Sequence, residues 1–209
     1  MKKHLLLASA SLLIAQGAMA SEWDGLYAGL GVSQNRLNTT WTDVNYDNHG
    51  NTREQRHEDV SPSVFVGYNM SSDALVYGVE LEYQMQDTEQ SRNDSDALVT
   101  DTFDSTLALK LKGGMAVGQA LLYVTAGVVD GDISHERLDG GDSIPEFDQD
   151  SYGYLFGAGL QAKLADSLSV RIELTDTRFA ETSELDGGGD KYRVGDSISS
   201  VSIGAAFQF

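Results

Sequence analysis

The residues best suited to catalysis do not fall into a catalytic pattern. A hydrolytic site would pair a histidine base with a serine nucleophile, or set histidine and aspartate side chains around an attacking water. Beyond the first 20 residues the histidines are His49, His57 and His135, and all three fall in segments predicted to be loops. His57 stands beside Glu58 and Asp59, which is typical of a charged surface. The sequence therefore predicts no enzyme, no catalytic residues and no cofactor.

Seven charged residues form a second pattern, because each shares a predicted strand with large apolar residues and alternates with them. Three are acidic and four are basic, so their charges nearly balance. Predicted strands three and four are neighbours, which places Glu80 and Glu82 close to two lysines of the next strand. Such a set predicts a network of ion pairs, either a fixed plug, which is favoured, or exchangeable pairs that gate an ion path. The seven are Glu80, Glu82, Lys110, Lys112, Lys163, Arg171 and Glu173.

Four polar segments hold most of the formal net charge of −18. Asp139-Gly-Gly-Asp142 and Asp186-Gly-Gly-Gly-Asp190 place carboxylates on glycine turns, as Ca²⁺ sites built from oxygen ligands require. Neither supplies a full ligand set, so weak divalent-cation binding is one interpretation and a solvated anionic surface is the favoured one. An acidic chain does not suit phosphate backbones, and nucleic acid is not expected as a partner. The segments are about 36–60, 87–102, 130–150 and 177–196.

The elements that position these residues are eight segments in which large apolar residues alternate with glycine or polar residues, the period of a β-strand. Each is near the roughly 9–11 residues that cross a bilayer when a strand is tilted. Short connections near 70–74, 114–119 and 165–167 alternate with the four long polar segments. The strands are predicted at about 23–35, 61–69, 75–86, 103–113, 120–129, 152–164, 168–176 and 197–209.

These strands predict an all-β fold, an eight-stranded antiparallel up-and-down transmembrane β-barrel. Closure leaves no sheet edge in lipid. The interior of so narrow a barrel suits glycine and a few polar side chains, so the large apolar face is expected to point to lipid and the seven charges inward. The short turns are expected on the periplasmic rim and the long loops outside the cell.

The N-terminus has the three parts of a secretory signal peptide. Lys2 and Lys3 give a positive start, residues 5–15 are apolar but too short to span a bilayer, and Ala18-Met19-Ala20 is a small-residue cleavage site. Residues 1–20 are thus predicted to be a cleaved signal peptide and residues 21–209 a single barrel domain.

The last strand ends in an aromatic pair, Phe207 and Phe209, on its apolar side. A terminal aromatic residue on such a strand is typical of outer-membrane barrels. We expect this pair to be the assembly signal that the barrel assembly machinery contacts during insertion.

The chain resembles members of the OmpA-like superfamily of small outer-membrane β-barrels. The resemblance implies a location in the outer membrane of a Gram-negative bacterium, surrounded by outer-membrane lipid and lipopolysaccharide, and a monomer. Some relatives carry a peptidoglycan-binding domain after the barrel; this chain stops at the eighth strand, so that role is not expected. The motifs that carry the resemblance are Trp23-Asp24-Gly25-Leu26-Tyr27-Ala28-Gly29, Val66-Gly67-Tyr68-Asn69, Tyr77-Gly78-Val79-Glu80-Leu81-Glu82-Tyr83, Leu122-Tyr123-Val124-Thr125-Ala126-Gly127, Gly157-Ala158-Gly159-Leu160 and Ala206-Phe207-Gln208-Phe209.

Two functions remain open at this point. The first is a mainly structural membrane protein with a possible narrow ion pore through the charge network. The alternative is a surface adhesin or interaction protein that acts through its long acidic extracellular loops.

Overall fold

A computed structural model shows the fold of most of the chain. It describes residues 20–43, 52–94, 97–139, 142–143, 147–180, 182–185 and 191–209. Apart from Ala20, the predicted signal peptide lies outside this part of the chain. Within the described ranges, no helix is long and apolar enough to cross a membrane.

The described chain folds into eight long antiparallel strands that close into a barrel. Each strand pairs with the next along the chain, and the first pairs with the last, so that Leu30 lies opposite both Val64 and Ala205. A short 3-10 helix, Ala20–Trp23, precedes the first strand. Two shorter segments, Asp142–Ser143 and Thr182–Leu185, pair with the fifth and eighth strands. The long strands are β1 Gly25–Asp43, β2 Thr52–Ser72, β3 Leu75–Asp94, β4 Ala97–Val117, β5 Ala120–Asp139, β6 Phe147–Ala165, β7 Leu168–Phe179 and β8 Lys191–Gln208.

Two-residue turns join β2 to β3, β4 to β5 and β6 to β7, at residues 73–74, 118–119 and 166–167. They lie where short connections are predicted. Asp73 and Gly118 have φ of 54° and 61°, the left-handed backbone that tight hairpins need. All three turns lie at one end of the barrel, which we call the turn end; the opposite end is the loop end.

The strands run much further toward the loop end than the sequence predicts, and the expectation of four long loops is wrong in this respect. β1 and β2 remain paired as far as Thr42 opposite Thr52, and β4 and β5 as far as Ala97 opposite Asp139. Beyond the apolar belt both faces of a strand can be polar, so the alternation that marks a strand disappears. The backbone still pairs, because its hydrogen bonds do not depend on the side chains.

The apolar face of the barrel points outward, as predicted. Leu30, Leu111 and Ile203 are 67%, 66% and 64% exposed, whereas Lys110 and Lys112, on either side of Leu111, are buried in the lumen. Exposed aromatic side chains lie toward the ends of this belt, where an aromatic girdle meets the membrane interfaces. They include Tyr68, Tyr77, Tyr83, Tyr152, Tyr154, Phe207 and Phe209.

A charge placed in the middle of the belt tests this orientation. Leu111 lies midway along the outward row of β4, so Leu111→Arg should lower the free energy of unfolding by about 2–4 kcal/mol in lipid vesicles. Ser199→Arg, an outward position toward the loop end, should cost no more than about 1 kcal/mol. Urea unfolding in vesicles measures both. Equal costs would mean that Leu111 does not face lipid.

Candidate functional site in the barrel interior

Small residues on the inner wall make room for large side chains in a narrow lumen. A Cβ atom on Gly29 would collide with the ring of Phe65, and one on Gly159 would collide with the ring of Tyr123. Both aromatic residues are buried in the lumen. The glycines that the sequence places between outward apolar residues therefore serve as gaps into which side chains from other strands fit.

Six charged side chains meet in two adjacent layers of the lumen. Lys110 is at their centre: its Nζ lies 2.8 Å from Glu80 Oε1, 2.5 Å from Glu82 Oε2 and 2.9 Å from Glu173 Oε1. Glu80 and Glu82 come from β3, and Glu173 reaches across from β7. We call the set Glu80, Glu82, Lys110, Lys112, Arg171 and Glu173 the lumen cluster.

Glu80 holds the second half of the lumen cluster. Its Oε2 lies 2.5 Å from Arg171 Nη1 and 3.4 Å from Lys112 Nζ, and it accepts a 2.8 Å hydrogen bond from the hydroxyl of Tyr27. The guanidinium of Arg171 also stacks 3.5 Å from the centre of the Phe65 ring, a cation–π contact. Every cation of the cluster therefore touches a carboxylate, and three negative charges balance three positive ones.

The lumen cluster is buried in protein. Glu80 is fully buried, Lys110 and Lys112 are at most 3% exposed, and Glu82 alone retains moderate exposure, 14% of its side chain. Burying charges of this kind is costly unless each is paired and hydrogen-bonded. Complete pairing is therefore a condition for the barrel to fold around them.

Lys163 does not join the lumen cluster, although the sequence groups it with the other six. It lies near the turn end of β6, two residues beyond Gln161, which is the residue opposite Arg171. Its Nζ donates to the carbonyl oxygens of Glu22 and Asp166 instead. Strand register sets this difference, because two residues along a strand move a side chain one full layer along the lumen.

Apolar side chains close the lumen on the turn-end side of the cluster. Trp23, Val76, Leu121 and Tyr123 are each at most 4% exposed and pack together with Ala116. Between this layer and Glu80, the ammonium of Lys112 sits 4.7 Å from the ring centre of Tyr123 and 4.9 Å from that of Tyr27. The turn-end half of the lumen is thus filled.

A small polar cavity lies on the loop-end side of the cluster. Glu82, Lys110 and Glu173 line one side of it, and the hydroxyl groups of Thr106 and Thr175 line its wall. It has room for a few water molecules. Toward the loop end, Ala108, Val129, Leu155, Phe179 and Ile198 pack into a further apolar cluster.

Sequence reasoning did not single out the aromatic side chains that surround the lumen cluster. Tyr27 and Tyr123 alternate with outward apolar residues, and this parity is the signal that points them inward. Phe65 lies between Val64 and Val66, so its inward position follows only once Ser63 and Gly67 fix the parity of β2. Trp23 stands at the start of the predicted strand 23–35, and the structure corrects this, because Trp23 lies in the 3-10 helix before β1 and turns into the lumen.

The two terminal phenylalanines lie on the outer surface at the turn end. Phe207 and Phe209 are exposed, and their rings meet edge to face with centres 5.3 Å apart. The backbone N–H of Phe209 donates to the carbonyl of Leu26, 2.9 Å away, beside the seam where β8 closes on β1. The structure thus places the pair within the apolar belt, and its role as an assembly signal stays a prediction.

Several other sequence-predicted features lie outside the described residues. The glycine turns of the two acidic motifs, between Asp139 and Asp142 and between Asp186 and Asp190, are among them. His49 also lies there. The prediction that His57 and His135 lie in loops is wrong, because they lie on β2 and β5, although their side chains are not described. Where side chains are described, no group of three potential metal ligands gathers.

Comparison with known proteins gives the same fold. The chain is 25% identical over 195 residues to the 25 kDa outer-membrane immunogenic protein of Brucella canis, covering 93% of this chain and 81% of that one. It is 26% identical over 194 residues to the 22 kDa outer membrane protein of Rhizobium leguminosarum bv. viciae, covering 91% and 80%. Among solved structures, it superposes on the outer membrane protease OmpT of Escherichia coli with a TM-score of 0.51 at 10% identity, covering 94% and 100%; this likeness shows the fold alone.

A closed antiparallel barrel with an apolar exterior and a paired, charged interior defines an integral β-barrel protein of the bacterial outer membrane. The chain belongs to the family described as the outer membrane protein beta-barrel domain, which matches residues 5–209. Its location is the outer membrane of a Gram-negative cell.

Removing the central cation tests how far the fold depends on the lumen cluster. Lys110→Met leaves three carboxylates without their shared partner and should lower the free energy of unfolding by about 3–5 kcal/mol. Arg36→Met is the control, since Arg36 pairs with Glu58 2.9 Å away on the exposed surface and should cost at most about 1 kcal/mol. Urea unfolding in vesicles compares them.

Adding Glu173→Gln to Lys110→Met should recover part of the loss, because one unpaired negative charge is removed with the lysine. A Lys110→Met variant that is no less stable than Arg36→Met would show that the cluster does not stabilise the barrel.

Proposed function

We propose that this protein is chiefly a structural component of the outer membrane, a barrel whose lumen is closed at rest. The pairing within the lumen cluster is the observation that carries this proposal. Lys110 holds three carboxylates at 2.5–2.9 Å, and no cation of the cluster is left to exchange freely with a passing ion. The family description names a barrel domain and no reaction, and the proposal assigns no catalytic activity.

The energy of the ion pairs sets how often the lumen could open. Leaving one buried charge without its partner costs about 3–5 kcal/mol, which is a lower bound for separating a pair, and each 1.4 kcal/mol is a factor of about ten. A state with one pair broken is then populated in at most roughly one molecule in a hundred. A narrow ion path through exchanged pairs is consequently a rare state of this barrel, and the cluster acts mainly as a plug.

Conductance in planar bilayers tests this directly. The wild-type protein should show a silent baseline with only rare, brief steps, because the paired state dominates. Lys110→Ala and Glu80→Ala are each purified as a folded barrel, recognised by a gel mobility that changes on boiling. Both should raise the frequency of steps by at least tenfold if the pairs hold the lumen closed. Arg36→Ala should match the wild type.

Sustained conductance by the wild-type barrel would contradict a closed resting lumen. If both pair variants gave silent traces like the wild type, the ion pairs would not be what holds the lumen closed. The apolar layers would then be its seal.

A second candidate function is an interaction surface at the loop end. β2 and β4, each 21 residues long, exceed the roughly 9–11 residues that a bilayer crossing needs, so a paired wall extends beyond the apolar belt. The sequence of that extension is strongly acidic. Curated relatives from Brucella are named immunogenic outer-membrane proteins, which supports a loop end exposed outside the cell. We propose that this wall attracts cationic partners, among them divalent cations that bridge it to anionic lipopolysaccharide.

Neutralising charges at one end of the barrel distinguishes binding to the loop-end surface from attraction by the overall negative charge. Asp139→Asn, Asp142→Asn and Asp148→Asn together should weaken binding of an oligolysine peptide to the detergent-solubilised barrel severalfold at low salt. The matched control is Asp24→Asn, Asp73→Asn and Asp166→Asn at the turn end, which changes the net charge equally. Calorimetry measures the binding of the peptide and of Ca²⁺ to each triple variant. High salt should abolish peptide binding by screening. Equal binding by the two triple variants would contradict a specific loop-end surface.

A further inference from the structure

The segment before β1 is held to the barrel by side-chain contacts, whereas every part of the wall is held by strand pairing. Ala20–Trp23 forms a 3-10 helix that belongs to no strand and packs against β2 and β3 at the turn end. The side chain of Trp23 enters the lumen, where it is only 2% exposed and packs with Val76, Ala116 and Leu121. A single indole ring thus supplies part of the turn-end seal.

Side chains of the wall hold this segment at two points: Gln208 donates from its Nε2 to the carbonyl of Asp24, just after the helix, and Lys163 binds the helix itself. The Nζ of Lys163 donates to the carbonyl of Glu22 and, at 3.1 Å, to that of Asp166, and it lies 5.4 Å from the centre of the Trp23 ring. Lys163 therefore binds the backbone beside Trp23 and the face of the ring together. Because it is partly exposed at the rim, these contacts compete with water.

The two seals of the lumen differ in what can move. All members of the lumen cluster stand on strands that are hydrogen-bonded on both sides, so only their side-chain rotamers can change. The 3-10 helix lacks such a ladder, so it can move away and withdraw the Trp23 side chain from the lumen without breaking any strand pairing. Its departure would uncover Tyr123 and, beyond it, Lys112, whose Nζ lies 4.7 Å from the Tyr123 ring centre.

We propose that Ala20–Trp23 is a detachable cap, latched by Lys163, that closes the turn end of the lumen to water and small solutes. This inference rests on the proposed closed lumen, because it identifies the element that closes the turn end of that lumen. The lumen cluster and the cap then act in series, and release of the cap opens the lumen only as far as Lys112 and Glu80.

The chain contains no cysteine, so one introduced thiol reports access to the space under the cap. Ala116→Cys places it in the layer that Trp23 covers. In the folded barrel in detergent, a positively charged methanethiosulfonate reagent should modify this thiol slowly. Adding Lys163→Met, which keeps the apolar stem but removes the donor and the charge, should accelerate modification at least tenfold. Lys163→Arg should keep the protection, because it retains both.

Ser200→Cys, in the loop-end cavity, is the matched control, and its rate should not change with Lys163→Met. Trp23→Ala should expose the thiol introduced at position 116 further than Lys163→Met does. Retention of the heat-dependent gel shift shows that each variant is folded; if Trp23→Ala does not fold, Lys163→Met alone decides the question.

Two results would overturn the proposal. If Lys163→Met leaves the modification rate of the Ala116→Cys barrel unchanged, Lys163 is not a latch. If the thiol at position 116 reacts fast in a barrel that carries only Ala116→Cys, the cap itself is wrong. These outcomes are separate from the bilayer test, because fast modification of this thiol in a barrel whose bilayer traces stay silent would overturn the cap and leave the closed resting lumen, sealed by the lumen cluster, in place.

Discussion

The structure depends on one constraint, that every backbone N–H and C=O of a strand in lipid must find a partner within the protein. Helices meet this constraint locally, but a sheet meets it only by closing on itself. The pairing of Tyr27 with Gln208, at the seam between β1 and β8, completes that closure. With eight long strands in the described wall, closure gives a lumen wide enough only for side chains, and the shape of the interior follows from this size.

A narrow lumen explains why the interior is both glycine-rich and charged. Gly29 and Gly159 leave the space that Phe65 and Tyr123 occupy, and the remaining volume is filled by long side chains from several strands. Charged groups in such a place must be neutralised by one another. The balance of three carboxylates and three cations, with Glu80 and Lys110 in contact with most of the others, is the arrangement that this condition allows.

Much of this could be predicted from the sequence, and the failures have physical causes. Period two identified the strands and their outward faces because one face meets lipid and the other does not. The same signal is lost where a strand leaves the membrane, so the extension of β1 to Asp43 could not be foreseen. Six of the seven expected charges meet in the lumen because parity fixes which way a side chain points. Lys163 lies elsewhere because its height along the lumen depends on register, which single strands do not reveal. Trp23 was missed since its place comes from tertiary packing.

The seam between β1 and β8 also bears on how the barrel is made. The two strands that must meet there stand at opposite ends of the domain, so the final pairing joins residues separated by almost its whole length. Contacts of such high sequence separation form late and slowly, because the entropy of loop closure must be lost before they are gained. Until β8 is in place, β1 presents an unpaired edge that other chains could pair with. A barrel of this kind is therefore most prone to misassembly just before it closes, when seven of its strands are already paired in sequence.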